Sequence, residues 1–257
     1  MHERHGTVLN VFLNLLPAPA HAFVDEMVLN SWAVIVLLMV LAWLGTRRRL
    51  RVPRGLQTAW EMYYTFVRDF CVAEIGPGAE KYVPLLATIF LYILVLNLFG
   101  LVPGFLTPTM SLNTTVPLAI IVLVAVQYYG FREHGIRYLK HFTGDVWWLA
   151  PLMVVIEVIG QVAKALSLSV RLFGNMFGEE TAISRMAALG ALAFSVSYVP
   201  VPAHFINILL HLIIGPIQAF IFFMLSAAYI QTATRHEEDA EHGDQTESVQ
   251  APQGAAA

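Results

Sequence analysis

An arginine and two glutamates stand in SLSVRLFGNMFGEE, residues 167–180, with long apolar runs on both sides. Inside a bilayer, groups such as Arg171, Glu179 and Glu180 are expensive, and they face a pathway or a partner. Arginine keeps its charge in proteins, while a carboxyl group gains and loses a proton. A second set follows downstream. His204, His211 and Gln218 recur every seven residues, which returns them to nearly one helix face. Histidine titrates near neutral pH. A fixed cation flanked by proton-binding groups is an arrangement for moving or gating a proton.

The pattern continues upstream. Glu157, Gln161, Lys164, Ser167, Arg171, Asn175 and Gly178 recur at spacings of three or four, so they form one stripe down a helix. Glu180 lies nine residues beyond Arg171, about 13 Å along and on roughly the opposite face. Plainer roles stand beside the functional one. Lys164 and Arg185 can reach an interface on their long stems. Gln161, Ser167 and Asn175 are common interhelical hydrogen-bonding types. A purely structural Arg171 would need Glu180 as its partner.

Such residues need helices that cross a membrane to position them. The chain has 257 residues, of which 57% are hydrophobic and 13% charged. Soluble domains carry about 25% charged residues. No Asp, Glu, Lys or Arg occurs in 82–131 or in 186–234, and a spanning helix needs only about 20 such residues. The fold class is therefore an all-α polytopic membrane protein. About five membrane-crossing helices are expected: spans at 28–46, 82–102 and 116–131, then a long tilted C-terminal helical hairpin over 147–198 and 202–234. At about 1.5 Å per residue, the last segment reaches roughly 50 Å, more than an approximately 30 Å hydrocarbon core. Residues 55–73 read as an interfacial amphipathic helix. Val8, Phe12, Leu15 and Leu16 fall on one face and predict a second at the start of the chain, in preference to a cleaved leader.

Three regions follow: an outside or interfacial segment 1–27, an ion-translocating membrane domain 28–234, and an acidic tail 235–257 expected to be disordered. One cysteine, Cys71, excludes an internal disulfide and any cysteine-built metal site. No metal, cofactor or nucleic-acid partner is expected. Five arginines in 47–54, with Arg132, Arg137 and Lys140, place those loops in the cytoplasm by the positive-inside rule. The N-terminus is then outside and the C-terminus cytoplasmic. Cysteines at Arg49 and Lys140, in a Cys71-free background, are expected to resist an impermeant thiol reagent added outside. Strong outside labelling at either site would reverse the topology.

SLSVRLFGNMFGEE and HLIIGPIQAFIFFML together resemble subunit a of the rotary F-type ATP synthases. The matching positions are Ser167, residues 171–176, Glu180, His211 and residues 218–220, with NLFGLVP at 97–103 as a third motif. The resemblance covers 28–234. It implies a non-catalytic, ion-translocating stator subunit, with two offset half-channels serving the carboxylates of a c-subunit ring. Arg171 would face that carboxylate. Glu180 and His211 would line the outer half-channel, with Asn175 and Gln218 near the transfer point. Glu157 and Ser167 would belong to the cytoplasmic half-channel. Implied partners are the c ring, the peripheral-stalk b subunits, the soluble catalytic head through the stalks, and the bilayer of a bacterial inner membrane. Two departures stand out. Glu179 replaces a glycine of many relatives, and Gly100 an aspartate of some, so Glu179 is a candidate substitute acid.

A proton-coupled secondary transporter and an intramembrane enzyme are the rival classes. The first predicts inverted repeats or matched broken helices, and the sequence has neither. A zinc hydrolase wants a motif such as HExxH, which is absent.

Overall fold

The computed structural model describes residues 26–47, 55–102, 107–135, 138, 150–197 and 203–235. Among them every regular element is helical. The helices are α1 (Glu26–Thr46), α2 (Leu56–Ile75), α3 (Val83–Phe99), α4 (Leu112–His134), α5 (Ala150–Ser197) and α6 (Ala203–Arg235). Short 3₁₀ turns at Ala79–Lys81 and Pro108–Met110 precede α3 and α4. The surface helix expected within 1–27, most of the basic loop residues and the acidic tail lie outside the described residues.

Among the described residues, four helices are long and apolar enough to cross a membrane: Met27–Thr46, Leu112–His134, Pro151–Met186 and Ile208–Thr234. A shorter apolar helix, Val83–Phe99, completes the set. The chain is an all-α polytopic integral membrane protein. Its α3 spans about 26 Å at 1.5 Å per residue, close to the hydrocarbon thickness. It ends earlier than its apolar run because Leu101 and Val102 donate to Leu98 and Phe99 in i→i+3 bonds, which tighten the last turn. Helix α5 has 48 residues, about 72 Å. Only a steep incline or a long extension beyond the bilayer accommodates it.

Burial explains the arrangement. Helix α3 is apolar all round and sits centrally, burying Val83, Leu86, Ile89, Phe90, Ile93, Leu96 and Asn97. Its main neighbour is α6, through Ala219, Phe222 and Phe223 in a shared core. Helix α1 leaves Trp32, Val36, Met39 and Trp43 exposed, as a lipid-facing helix does. Helix α2 carries Glu61, Arg68, Asp69 and Glu74 and is not among the apolar spans. It buries Val67 and Cys71, and the Tyr63 hydroxyl donates to the Ala87 carbonyl at 2.6 Å. That fits a helix at a membrane boundary.

Polar contacts gather the helix ends into two groups. At one end, Lys81 Nζ meets Glu133 Oε1 at 2.5 Å, and His134 Nε2 approaches the Thr234 carbonyl at 3.2 Å. Gln231 donates to the Glu74 carbonyl. The Glu133 carboxylate holds the Lys81 ammonium above its usual pKa by hydrogen bonding. The other end holds the close of α3, the Pro108–Met110 turn and the first third of α6.

Candidate ion pathway in the long hairpin

Three contacts fix the antiparallel register of α5 against α6. Lys164 Nζ lies 5.7 Å from the centre of the Tyr229 ring. Asn175 Nδ2 donates to Gln218 Oε1 at 2.5 Å. His211 Nδ1 lies 2.8 Å from Glu179 Oε1. As α5 advances, its partners on α6 step backward. A third helix supports the pair: the Ser169 hydroxyl donates to Thr115 Oγ1 of α4 at 3.1 Å.

Helix α5 has two distinct faces. Leu168, Leu172, Met176 and Glu179 are buried against the bundle. Ser167, Arg171, Asn175 and Gly178 are exposed, flanked by exposed Leu166, Val170 and Phe177. Arg171 has no ion-pair or hydrogen-bond partner among the described residues. The structural role that would tie Arg171 to Glu180 is therefore not realised here. A desolvated arginine without a counter-charge is costly, so this face calls for a partner that supplies an anion within an apolar surface.

The other expected residues fall in separate places. Glu157 is half-buried and accepts from Gln161 Nε2 at 2.8 Å. Glu157 sits nearly four turns from Arg171 along α5. Gln218 is buried with its Nε2 unpartnered among the described residues. His211 and Glu179 are buried. Glu180 is half-buried and forms no ion pair with His211. The histidine pairs instead with the neighbouring carboxyl, because 100° of helical rotation turns residue 179 inward and residue 180 aside. Glu179 Oε1 is within ion-pair reach of Nδ1 without completing an aligned hydrogen bond, and neither carboxyl oxygen has a hydrogen-bond partner among the described residues.

A second layer of buried polar residues backs the first. Asn97 is fully buried in α3, Thr109 in the following turn. The Thr109 hydroxyl donates to Asn97 Oδ1 at 2.9 Å, and Asn97 Nδ2 donates to the Gly215 carbonyl at 3.0 Å. An asparagine inside an uncharged span was the available signal. Gly100 also gains a reason. A Cβ there would lie 1.9 Å from Thr107 Oγ1 and 3.4 Å from His211 Nε2. An aspartate at position 100 does not fit beside Thr107 in this arrangement. Gly100→Ala is expected to destabilise the protein by about 1–3 kcal/mol, the usual cost of overpacking. Thr107→Ala should recover part of that loss. Thermal unfolding of the purified membrane protein measures both, and an unchanged Tm in Gly100→Ala would contradict the packing.

Residues 28–231 match the family described as ATP synthase A chain. The chain is 41% identical over 226 residues to "ATP synthase subunit a" of Trichlorobacter lovleyi, covering 88% of this chain and 92% of that protein. It is 43% identical over 213 residues to "ATP synthase subunit a 2" of Syntrophotalea carbinolica, covering 83% and 87%. It is 38% identical over 242 residues to "ATP synthase subunit a" of Syntrophobacter fumaroxidans, covering 88% and 97%.

Proposed function

This chain belongs to the ATP synthase A chain family, and from that premise we propose that it carries protons through two offset half-channels to and from a carboxylate-bearing ring. Family membership sets aside the transporter and enzyme readings. The observation that carries the finer reading is Arg171, without a partner among the described residues, on the exposed face of α5 beside exposed Leu166, Val170 and Phe177. A turning ring of helices, each with one carboxyl group, is the partner of matching chemistry.

Each residue then has a physical task. A protonated ring carboxyl can face lipid at modest cost, whereas a carboxylate cannot. Arg171 stabilises the ionised form as a ring carboxyl passes. An opposite charge nearby lowers a carboxyl pKa by about one to three units. Arginine does not deprotonate in proteins, so it cannot hand a proton directly from one half-channel to the other. Each proton must travel with the ring, and flow becomes rotation.

Glu179, Glu180 and His211 serve the half-channel at the end of the hairpin where α6 begins. Asn175 and Gln218, bonded to each other, lie between that group and Arg171 and orient the transfer point. Glu157, with Ser167 between it and Arg171, serves the opposite half-channel. In the membrane, the N-terminus faces outside and the C-terminus the cytoplasm. The shared cluster of Lys81, Glu133 and His134 then marks the cytoplasmic end. The peripheral stalk and the soluble head complete the assembly.

Cross-linking tests the ring interface. A cysteine at Val170 should join a cysteine placed beside the ring carboxylate in the assembled complex. A cysteine at buried Leu172 should not. Failure at Val170 with success at Leu172 would place the ring elsewhere.

A further inference from the structure

We propose that Asn97 is a positioning residue that locks His211 with its proton on Nε2, so that His211 exchanges protons only at Nδ1, on the Glu179 side. The proposal rests on the assignment of Glu179 and His211 to a proton half-channel. It goes further by naming the atom that exchanges and the clamp that selects it.

The bonding pattern carries the inference. His211 Nε2 lies 2.8 Å from the Asn97 backbone carbonyl, in a buried and aligned hydrogen bond. A carbonyl oxygen only accepts, so Nε2 must donate. That holds for the neutral ring and for the imidazolium. The ring's remaining nitrogen, Nδ1, faces Glu179 Oε1 at 2.8 Å. With Nε2 committed, His211 gains or loses a proton at Nδ1 alone. Protons cannot enter the ring at one nitrogen and leave at the other without breaking the carbonyl bond. The Glu179–His211 pair is thus a one-sided proton store that fills and empties through Glu179. The exchange balances simply: Glu179 gives its proton to Nδ1, leaving a carboxylate beside an imidazolium, and takes it back on return.

The carbonyl is available because α3 ends there. An α-helix leaves its last carbonyls without intrahelical partners. Leu101 N–H turns back to Leu98 rather than to Asn97. The carbonyl end of a helix is also its negative pole, which suits a donating Nε2–H.

The side chain of Asn97 holds that carbonyl in place. Its Nδ2 donates to the Gly215 carbonyl, one turn beyond His211 on α6, and its Oδ1 accepts from Thr109. The amide orientation follows from chemistry, since the reverse would set an oxygen against the Gly215 oxygen. Both polar ends are satisfied, and the residue is fully buried. Three elements are thereby tied around one imidazole: α3, α6 and the Pro108–Met110 turn.

The test uses Thr109, which bonds to Asn97 and makes no hydrogen bond to His211 or Glu179. Thr109→Val removes the donor with little change of shape, and Thr109→Ser keeps it. The assembled ATP synthase is prepared with ¹⁵N-histidine in this subunit only, and His211→Gln identifies the signal by difference. Solid-state ¹⁵N spectra are recorded alongside proton-driven ATP synthesis in vesicles. Wild type and Thr109→Ser should show Nε2 protonated and equal rates of synthesis. Thr109→Val and Asn97→Leu should show mixed tautomers and a several-fold fall in synthesis with assembly intact. An Nδ1–H, Nε2-bare ring in the wild type would overturn the proposal. So would an unchanged tautomer in Thr109→Val, or Thr109→Ser behaving as Thr109→Val. If the tautomer follows the clamp while Glu179→Gln keeps normal synthesis, the half-channel reading fails and the clamp stands.

Discussion

Arg171→Ala and Arg171→Gln are expected to abolish proton-driven ATP synthesis while passive proton leak persists or rises. The motive is the position of Arg171 on the exposed face of α5 without a partner among the described residues. If Arg171 only stiffened the fold, its removal would disturb packing, yet its neighbours Leu168 and Leu172 already fill the buried side. If it separates two half-channels, its removal lets one ring carboxyl exchange with both without turning. Conductance then survives and coupling does not. Arg171→Lys should fail as well. A lysine keeps its charge only conditionally when desolvated, and it lacks the planar fork of donors. The measurement pairs ATP synthesis with passive proton conductance in the same vesicles, with assembly verified. Near-normal synthesis in the alanine variant would sink the mechanism. Loss of assembly in that variant would return Arg171 to a structural role.

The second large effect is expected at Glu179. Glu179→Gln should lower synthesis by about 10²-fold or more, the usual contribution of a positioned proton-transfer group. His211→Gln should do the same. Because the two side chains touch at 2.8 Å, the double variant should be little worse than either single one. Coupling of this kind reaches about 0.5–3 kcal/mol between residues in contact. Glu180 has no such contact with His211, so Glu180→Gln combined with His211→Gln should be closer to additive. The motif made Glu180 the first candidate for partnering His211, and the geometry gives that place to Glu179. The experiment is a double-mutant cycle on synthesis rates in vesicles. Full synthesis in Glu179→Gln, or strict additivity with His211→Gln, would remove Glu179 from the pathway.

What the sequence determined by itself was whatever depends on local spacing and on water. A bilayer requires about 20 apolar residues per crossing, so long charge-free runs declare themselves, and the helices at Glu26–Thr46 and Leu112–His134 follow from that constraint. The hairpin was equally legible, as were the shared faces of Ser167, Arg171 and Asn175, and of His211 and Gln218. A helical period is a property of one segment and needs no partner. Tertiary structure alone decided which groups meet across helices. Glu179 and Glu180 are adjacent in the chain and chemically identical, and no local rule chooses between them. The register of α5 on α6 chooses, by turning residue 179 toward His211. Asn97 and Thr109 were hidden for the same reason, since their bonds join α3, α6 and a 3₁₀ turn across sequence separations that no periodicity records. The carbonyl that receives His211 is free only because α3 tightens and ends where it does. Spacing tells which side chains share a face, and only packing tells what that face meets.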